Sequence, residues 1–566
     1  MTAGQLTPSR LVFTFCALAA GIVASPASSQ PLRGTQAGQL QSPLSPADRC
    51  TECHSGGTTS TGATYMAADT WAPSMMANAQ RDPLFQATLA VAEQDSPGIG
   101  SLCYRCHSPS AFTGGRAERG QMLDPLQGDS DGVHCDTCHR SVVPTNDPNA
   151  PYVSNAQLFY SDATMDTIPT RYGPHNDPMI SPRHPSMGSS FIRDARMCGQ
   201  CHDLTHPTNT RRMADGTDTR APFPLQSTYT EWAQSDFARR ASPETCQTCH
   251  MPEITGESLP STRIPNAPNR ARQRRHDFLG ANEWGMALLK AAFPGERDEE
   301  YDASRRRIQD YLRTAAEVTF TDIPRTAAAG STVRVSVRVT NRSGHKLPTG
   351  YEDARVMWLQ LQVGDRVISG DFANDELVSD RQARVYQFKA GYLQGGQVVP
   401  SDFVVRHNVV MEDTRIPPLG MMPDARTMPV GRDYSGGPGG ALRNYDTVTY
   451  DVPVPASIGT VSVRARLMYR TTTKHYVEAI VGANRTDGRG RALMDAWNRS
   501  GRAAPFAMAE ATATVTVTAP QAPPDEGGCA VSRDRSDTNR HTPWVVGALV
   551  AGLAAWRRRR SRNRRG

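Results

Sequence analysis

The chain has 566 residues, more than one hydrophobic core usually organises, so several domains are expected. Its 46 glycines and 42 prolines are too few for a mostly disordered chain, while the 38% apolar fraction is low for a protein of this size. The formal charge of +6 comes from the ends: without the arginines of 557–566 and Arg10 the body is slightly negative, which excludes the basic footprint of a nucleic-acid binder.

Arg10, the apolar run from Leu11 to Ala24 and the small residues after it read as a secretory signal over 1–28, cleaved between Ala24 and Gln30. A retained anchor is the alternative, but the run is short for a membrane span. Residues 29–46, rich in Ser, Pro, Gly and Gln, read as a flexible leader. Cys16 departs with the signal.

Ten of the remaining cysteines fall into five copies of one pattern. They are CTECH (Cys50, Cys53, His54), CYRCH (Cys103, Cys106, His107), CDTCH (Cys135, Cys138, His139), CGQCH (Cys198, Cys201, His202) and CQTCH (Cys246, Cys249, His250). C-x-x-C-H is the attachment signature of c-type haem: two thiols form thioethers to the porphyrin, and the next histidine becomes the proximal iron ligand. Disulfides or zinc ribbons would leave the repeated histidine unexplained. Five covalent haems c are therefore expected over 47–255. Porphyrin surface in the interior also accounts for the thin apolar content. The stretches between motifs are loop-rich with short helical patches such as 82–93. Trp71-Ala72-Pro73-Ser74 echoes Trp232-Ala233-Gln234-Ser235, each ahead of a motif.

Residues 256–316 read as a helical connector, with Tyr301, Ile308, Leu312 and Ala315 at helical spacing. From 317 the period changes to two. Val333, Val335, Val337 and Val339 alternate with polar residues, as do Val461, Val463, Ala465, Leu467 and Tyr469. The runs 357–363, 403–411, 447–454 and 513–517 also read as strands. The fold class is mixed: a loop-rich, mainly α multihaem domain, then an antiparallel, immunoglobulin-like β-sandwich over 317–518. A linker follows over 519–540.

The last segment, 541–566, joins a short apolar run (Trp544 to Trp556) to the arginine cluster, and Cys529 follows two glycines upstream. Thirteen apolar residues are short for an untilted span. This tail resembles the MYXO-CTERM type of sorting signal, which implies removal of the tail and cell-surface attachment at Cys529. A plain tail anchor is the alternative. Both readings place the body outside the cytoplasmic membrane, in the periplasm or on the outer surface.

The haem half resembles multihaem cytochromes of the cytochrome c-554-like family. The resemblance rests on TWAPSMMANAQRDPLF (70–85), LCYRCHSPS (102–110), DGVHCDTCHR (131–140), MCGQCHDLTHP (197–207), TYTEWAQSDFA (228–238) and CQTCHMP (246–252). RHDFLGAN (275–282) and NRSGHKLPTGY (341–351) are similar to segments of such proteins that carry a C-terminal sandwich. The resemblance implies electron transfer through closely packed, mostly bis-histidine haems, with other cytochromes or a membrane electron-transfer complex as partners. One departure stands out. The W-x-x-S-x-H segment that often supplies a distal histidine reads Met75-Met76 after Ser74 and Asp236-Phe237 after Ser235.

Eight histidines remain for five distal positions: His134, His175, His184, His206, His276, His345, His407 and His475. His175 and His184, in a proline-bounded loop, and then His276 and His345 are the leading distal candidates. His206 follows, with Met76 as a thioether alternative. His134 abuts Cys135, and His407 and His475 sit in strand-like runs. Three functions compete: an electron carrier, a reductase with one open iron for a small oxidised nitrogen or sulfur species, and a cell-surface binding or assembly module.

Overall fold

The computed structural model describes residue 1 and residues 32–59, 62–117, 123–163, 167–177, 181, 183–254, 259–264, 270 and 272–520. The segments read as a secretory signal, apart from residue 1, and as a sorting tail, with nearly all of the C-terminal linker, lie outside these residues.

In the first half the helices are short, and each cysteine motif sits on or at the end of one. Among them are α1 (Asp48–His54), α2 (Pro83–Asp95), α3 (Gly100–His107), α4 (Cys135–His139) and α5 (Ala195–Gly199). A helix puts residues three and four apart on one face, so the first cysteine and the histidine of C-x-x-C-H project together. The longest of these, α2, carries no motif. Pro83 in its first turn and the Asp82 carboxylate, which accepts the Leu84 N–H at 2.9 Å, start it where the sequence places a helical patch.

A hairpin of two nine-residue strands, β1 (Leu204–Arg212) and β2 (Asp218–Gln226), follows, so this half is less helical than the sequence suggests. Next come α6 (Thr228–Ala233), α7 (Cys246–His250), α8 (Glu283–Ala292) and α9 (Asp298–Leu312). Tyr301, Ile308 and Leu312 are the buried face of α9, as their spacing requires.

The second half builds strands β3 (Ala316–Asp322), β4 (Thr326–Ala328), β5 (Thr332–Asn341), β6 (Val356–Val363), β7 (Arg384–Gln394), β8 (Val409–Asp413), β9 (Tyr445–Pro453) and β10 (Gly459–Arg470), among others. Two helices, α10 (Lys474–Ala483) and α11 (Arg489–Arg499), precede β11 (Phe506–Thr518). Among the described residues a ten-stranded sheet runs β2-β1-β8-β7-β6-β10-β11-β4, with two short strands beside β6 and β7. A three-stranded sheet runs β9-β5-β3. Val335, Val337 and Val339 of β5 share one apolar core with Met357, Leu359 and Leu361 of β6 and Val463, Ala465 and Leu467 of β10. Period-two alternation fixes this arrangement, because slipping one residue would turn Arg334 and Arg338 inward.

Four expectations change. Pairing is not wholly antiparallel: β4 joins β11, and β1 joins β8, in parallel. Residues 403–411 are not one strand. A 3-10 turn, Val404–Arg406, precedes β8, and Phe403 N–H donates to Ser401 Oγ at 3.1 Å. His475 lies in α10, which Thr473 caps by accepting the Tyr476 N–H at 3.2 Å. Residues 32–46 are not a free leader: Leu44 packs with Leu158, Tyr160, Phe191 and Met197, and Arg140 donates to the carbonyls of Ser42 and Pro43.

The described residues up to Ala519 belong to one compact unit. One reason is a core in which Ala87 and Val91 of α2 meet Trp284 and Leu288 of α8, Tyr476, Val477 and Ile480 of α10, and Leu493 and Trp497 of α11. Each large apolar side chain buried there contributes about 1.5–3 kcal/mol. A fragment ending at residue 254 loses most of these partners and should be degraded by limited proteolysis far faster than the full chain. Equal protease resistance would show instead that the first half folds alone.

Candidate haem centre

Four of the five motif histidines are oriented by a backbone carbonyl. The Nδ1–H of His54 donates to the Pro260 carbonyl at 2.8 Å, that of His107 to Ala79 at 3.0 Å, and that of His139 to Tyr172 at 2.7 Å. His250 does the same to Leu279. A carbonyl only accepts, so the proton sits on Nδ1 and the lone pair on Nε2, the tautomer a metal takes. Burial pushes the pKa of all four imidazoles down, and that of His202 to about 4, so they stay neutral. Phe85 stacks flat on His107, with ring centroids 3.8 Å apart, and fixes its plane.

Two further histidines face this set. The ring of His276 lies 6.3 Å from that of His139 at an interplanar angle of 27°, and that of His345 lies 6.2 Å from His250 at 20°. Metal–imidazole bonds of about 2 Å on opposite sides of one ion place ring centroids roughly 6 Å apart. His276 and His345 also donate Nδ1–H to carbonyls, of Arg274 and Lys346, each at 3.1 Å, which leaves both Nε2 atoms basic. Burial takes each pKa to about 4. The donor sets therefore fit an iron porphyrin held by two cysteines and two axial imidazoles.

The tryptophan echo is a repeated clamp on these same two motifs. Trp71 Nε1–H donates to the Val133 carbonyl, and Trp232 Nε1–H to that of Glu244, both at 2.9 Å. Each acceptor lies two residues before the first cysteine of its motif. Five residues after each tryptophan, the carbonyls of Met76 and Phe237 accept the Val133 and Glu244 N–H groups at 2.8 and 3.1 Å. Met76 thus serves through its backbone, while Met75 packs its side chain against the apolar core.

The other candidates separate. His184, half-buried, is an electrostatic neighbour of both His54 and His139. His175 is half-buried among Arg270, Asp177 and Arg193. His206 does not suit a distal role, because both nitrogens are committed: Nε2–H donates to Val405 O at 3.0 Å, and Nδ1 accepts the Asn209 N–H at 2.8 Å. His134 binds Ser110 through Nε2, His407 donates Nε2–H to Ser401 O at 2.9 Å, and exposed His475 lies 3.1 Å from Asp402.

Thiols of different motifs also meet. Cys50 lies near Cys135, Cys106 near Cys201, and Cys198 near Cys246, with Cys138 near Cys198 and Cys201. The first motif therefore adjoins the third, the third adjoins the fourth, and the fourth adjoins the second and fifth. Sequence spacing carries none of this order.

No protein-family model and no curated protein matches the sequence. Among solved structures, the chain is similar to a penta-heme cytochrome c552 from Thermochromatium tepidum. The TM-score is 0.46 and the identity 16%, over 84% of this chain and all of that one. The CARDB domain of the PF1109 protein from Pyrococcus furiosus, in complex with di-metal ions, matches at TM-score 0.14 and 8% identity, over 36% of this chain and 86% of that one. Spo0M, a sporulation control protein from Bacillus subtilis, also matches at 0.14 and 8%, over 36% and 50%. These likenesses are too weak to carry an argument about this chain, whose own residues supply it.

Proposed function

We propose that the chain is a multihaem c-type cytochrome that passes single electrons through five covalently bound haems. The observation that carries this reading is the pairing of buried imidazoles beside two of the motifs, His276 with His139 and His345 with His250, at 6.3 and 6.2 Å between ring centroids. Haem supplies the redox chemistry when bound; the protein supplies attachment, axial imidazoles and burial. The cysteines would attach the porphyrins, the Nδ1–carbonyl bonds of His54, His107, His139 and His250 leave Nε2 free to bind iron, and the buried surroundings exclude water. The two sheets that share a core support a β-sandwich behind the haem region. Protein matured in a haem-attaching host should carry five haems by intact mass, and Cys198→Ala should lose or weaken one. Four or fewer in fully matured protein would overturn the reading.

The ligand count favours a second reading at one centre. Among the described residues, four spare histidines keep an uncommitted Nε2: His175, His184, His276 and His345. His276 and His345 face His139 and His250, which leaves two for His54, His107 and His202. At least one of these three lacks a histidine partner, as an open, substrate-binding iron in a reductase would. Carbon monoxide binding to one reduced haem, with turnover of nitrite or hydroxylamine, would support the reductase.

The secretory start and the sorting-like tail support export and cell-surface attachment, with other cytochromes or a membrane electron-transfer complex as redox partners. Recovery of peptides from 541–566 in the mature surface protein would favour a tail anchor over sorting at Cys529.

A further inference from the structure

Behind His345 lies a buried charge cluster that electron transfer alone does not require. Glu231 of α6, Glu352 after the 341–351 loop and Asp413 of β8 supply three carboxylates. Lys346 and Arg415 supply two cations, and none of the five side chains is more than 4% exposed. Arg415 reaches all three acids, at 2.8 Å to Asp413, 3.0 Å to Glu231 and 2.8 Å to Glu352. Lys346 Nζ adds a second cation to Asp413 at 2.6 Å and donates to Thr427 O at 2.6 Å. Glu231 also accepts from Lys346 N–H at 3.1 Å and Thr349 Oγ1 at 2.9 Å. Glu352 has the thinnest shell: one Arg415 nitrogen and the Ser227 N–H at 3.4 Å.

Three acids against two cations leave one surplus negative charge in a site shielded from water. Such a charge is costly unless a proton neutralises it. Glu352, with the fewest donors, is where the proton binds best. Burial and its like-charged neighbours Glu231 and Asp413 push its pKa up to about 8, against the pull of Arg415 and Lys346. Asp353 adds a further buried acid, 3.9 Å from His407, with Asp402 and Arg415 as its other charged neighbours.

The cluster adjoins the His250–His345 centre. His345 donates to the Lys346 carbonyl, Lys346 N–H donates to Glu231, and Arg415 is among the charges acting on His345. Toward solvent, exposed His475 meets Asp402 at 3.1 Å, and Asp402 neighbours Asp353, next to Glu352. Titratable groups thus run from the surface to the buried acid.

We propose that Glu352 is a redox-linked proton site: in alkaline solution, where its carboxylate is ionised in the oxidised chain, an electron delivered to the centre between His250 and His345 is accompanied by binding of one solvent proton to the Glu352 carboxylate. This rests on the haem reading above. The electron comes from the donor protein, one O–H bond forms, nothing leaves, and reoxidation returns the proton. The added negative charge strengthens proton binding, and by reciprocity the proton favours reduction.

The test is a spectroscopic redox titration of the full haem-loaded chain between about pH 6 and pH 10. Below about pH 8 the acid holds its proton in both redox states, so the potential should be flat. Above that, the reduction equilibrium of one haem should weaken with pH, up to tenfold per unit at full coupling, or about 59 mV. Glu352→Gln should abolish that slope while keeping five haems and the low-spin spectrum. Reduced-minus-oxidised infrared difference spectra of the unaltered chain near pH 9 should gain a deuterium-sensitive carboxylic C=O band, which keeps the test valid if the variant fails to fold. An unchanged slope in Glu352→Gln, or no such band in the unaltered chain, would overturn the proposal while the haem reading stands. A chain without covalent haem would overturn both.

Discussion

Replacing His276 by alanine is expected to convert one low-spin haem to high spin while all five haems stay attached. The attachment and proximal ligation that the haem reading assigns to Cys135, Cys138 and His139 do not depend on His276, so the haem count should hold. What changes is the sixth position, because the His276 ring stands 6.3 Å from that of His139. His345→Ala should do the same opposite His250. Each variant should move about one fifth of the total haem into the high-spin signal by low-temperature EPR, and the double variant about two fifths. His206→Ala is the control: its nitrogens are held by Val405 and Asn209, so its loss should leave the spin balance unchanged. An unaltered low-spin spectrum in both His276→Ala and His345→Ala would remove these residues from the ligand set.

Where one short stretch carries the whole instruction, the sequence can be read directly. C-x-x-C-H states its own chemistry, and the alternating valines of β5 and β10 state which face is buried. Local propensity misleads where a cap or turn decides. The run before His475 is rich in threonine and tyrosine and looks like a strand, but Thr473 caps a helix there. Serine and threonine at such positions are a usable signal. The rest depends on contacts far apart in the chain. Nothing local in residues 32–46 shows that Arg140 will hold the carbonyls of Ser42 and Pro43. Likewise, the spacing of His276 and His345 does not say which motif each will face. The acid–base cluster is the extreme case, since its members come from Glu231, the 341–352 region and β8 and meet only in the folded chain.

That cluster also gives the largest expected stability effect. Arg415→Ala removes the one side chain bonded to Asp413, Glu231 and Glu352 together and leaves Lys346 as the cluster's remaining cation. Breaking a buried ion network from one side typically costs about 3–5 kcal/mol, because the stranded charges remain buried. Domains are stable by only about 5–15 kcal/mol, so the denaturation midpoint should fall sharply. The sign of the pH dependence follows from the acids. With Arg415 gone, their folded-state pKa values rise above the unfolded ones, so the folded chain binds more protons and loses stability as pH rises through that interval. The deficit relative to the unaltered protein should therefore shrink on acidification and be largest at neutral and alkaline pH. Adding Glu231→Gln and Glu352→Gln to Arg415→Ala should recover part of the loss, since neutral amides strand no charge. Arg313→Ala, which removes a largely exposed pair with Asp310, should change the midpoint little. If Arg415→Ala unfolds at the same denaturant concentration as the unaltered chain, at neutral and acid pH alike, the cluster carries no uncompensated charge, and the proton assigned to Glu352 loses its basis.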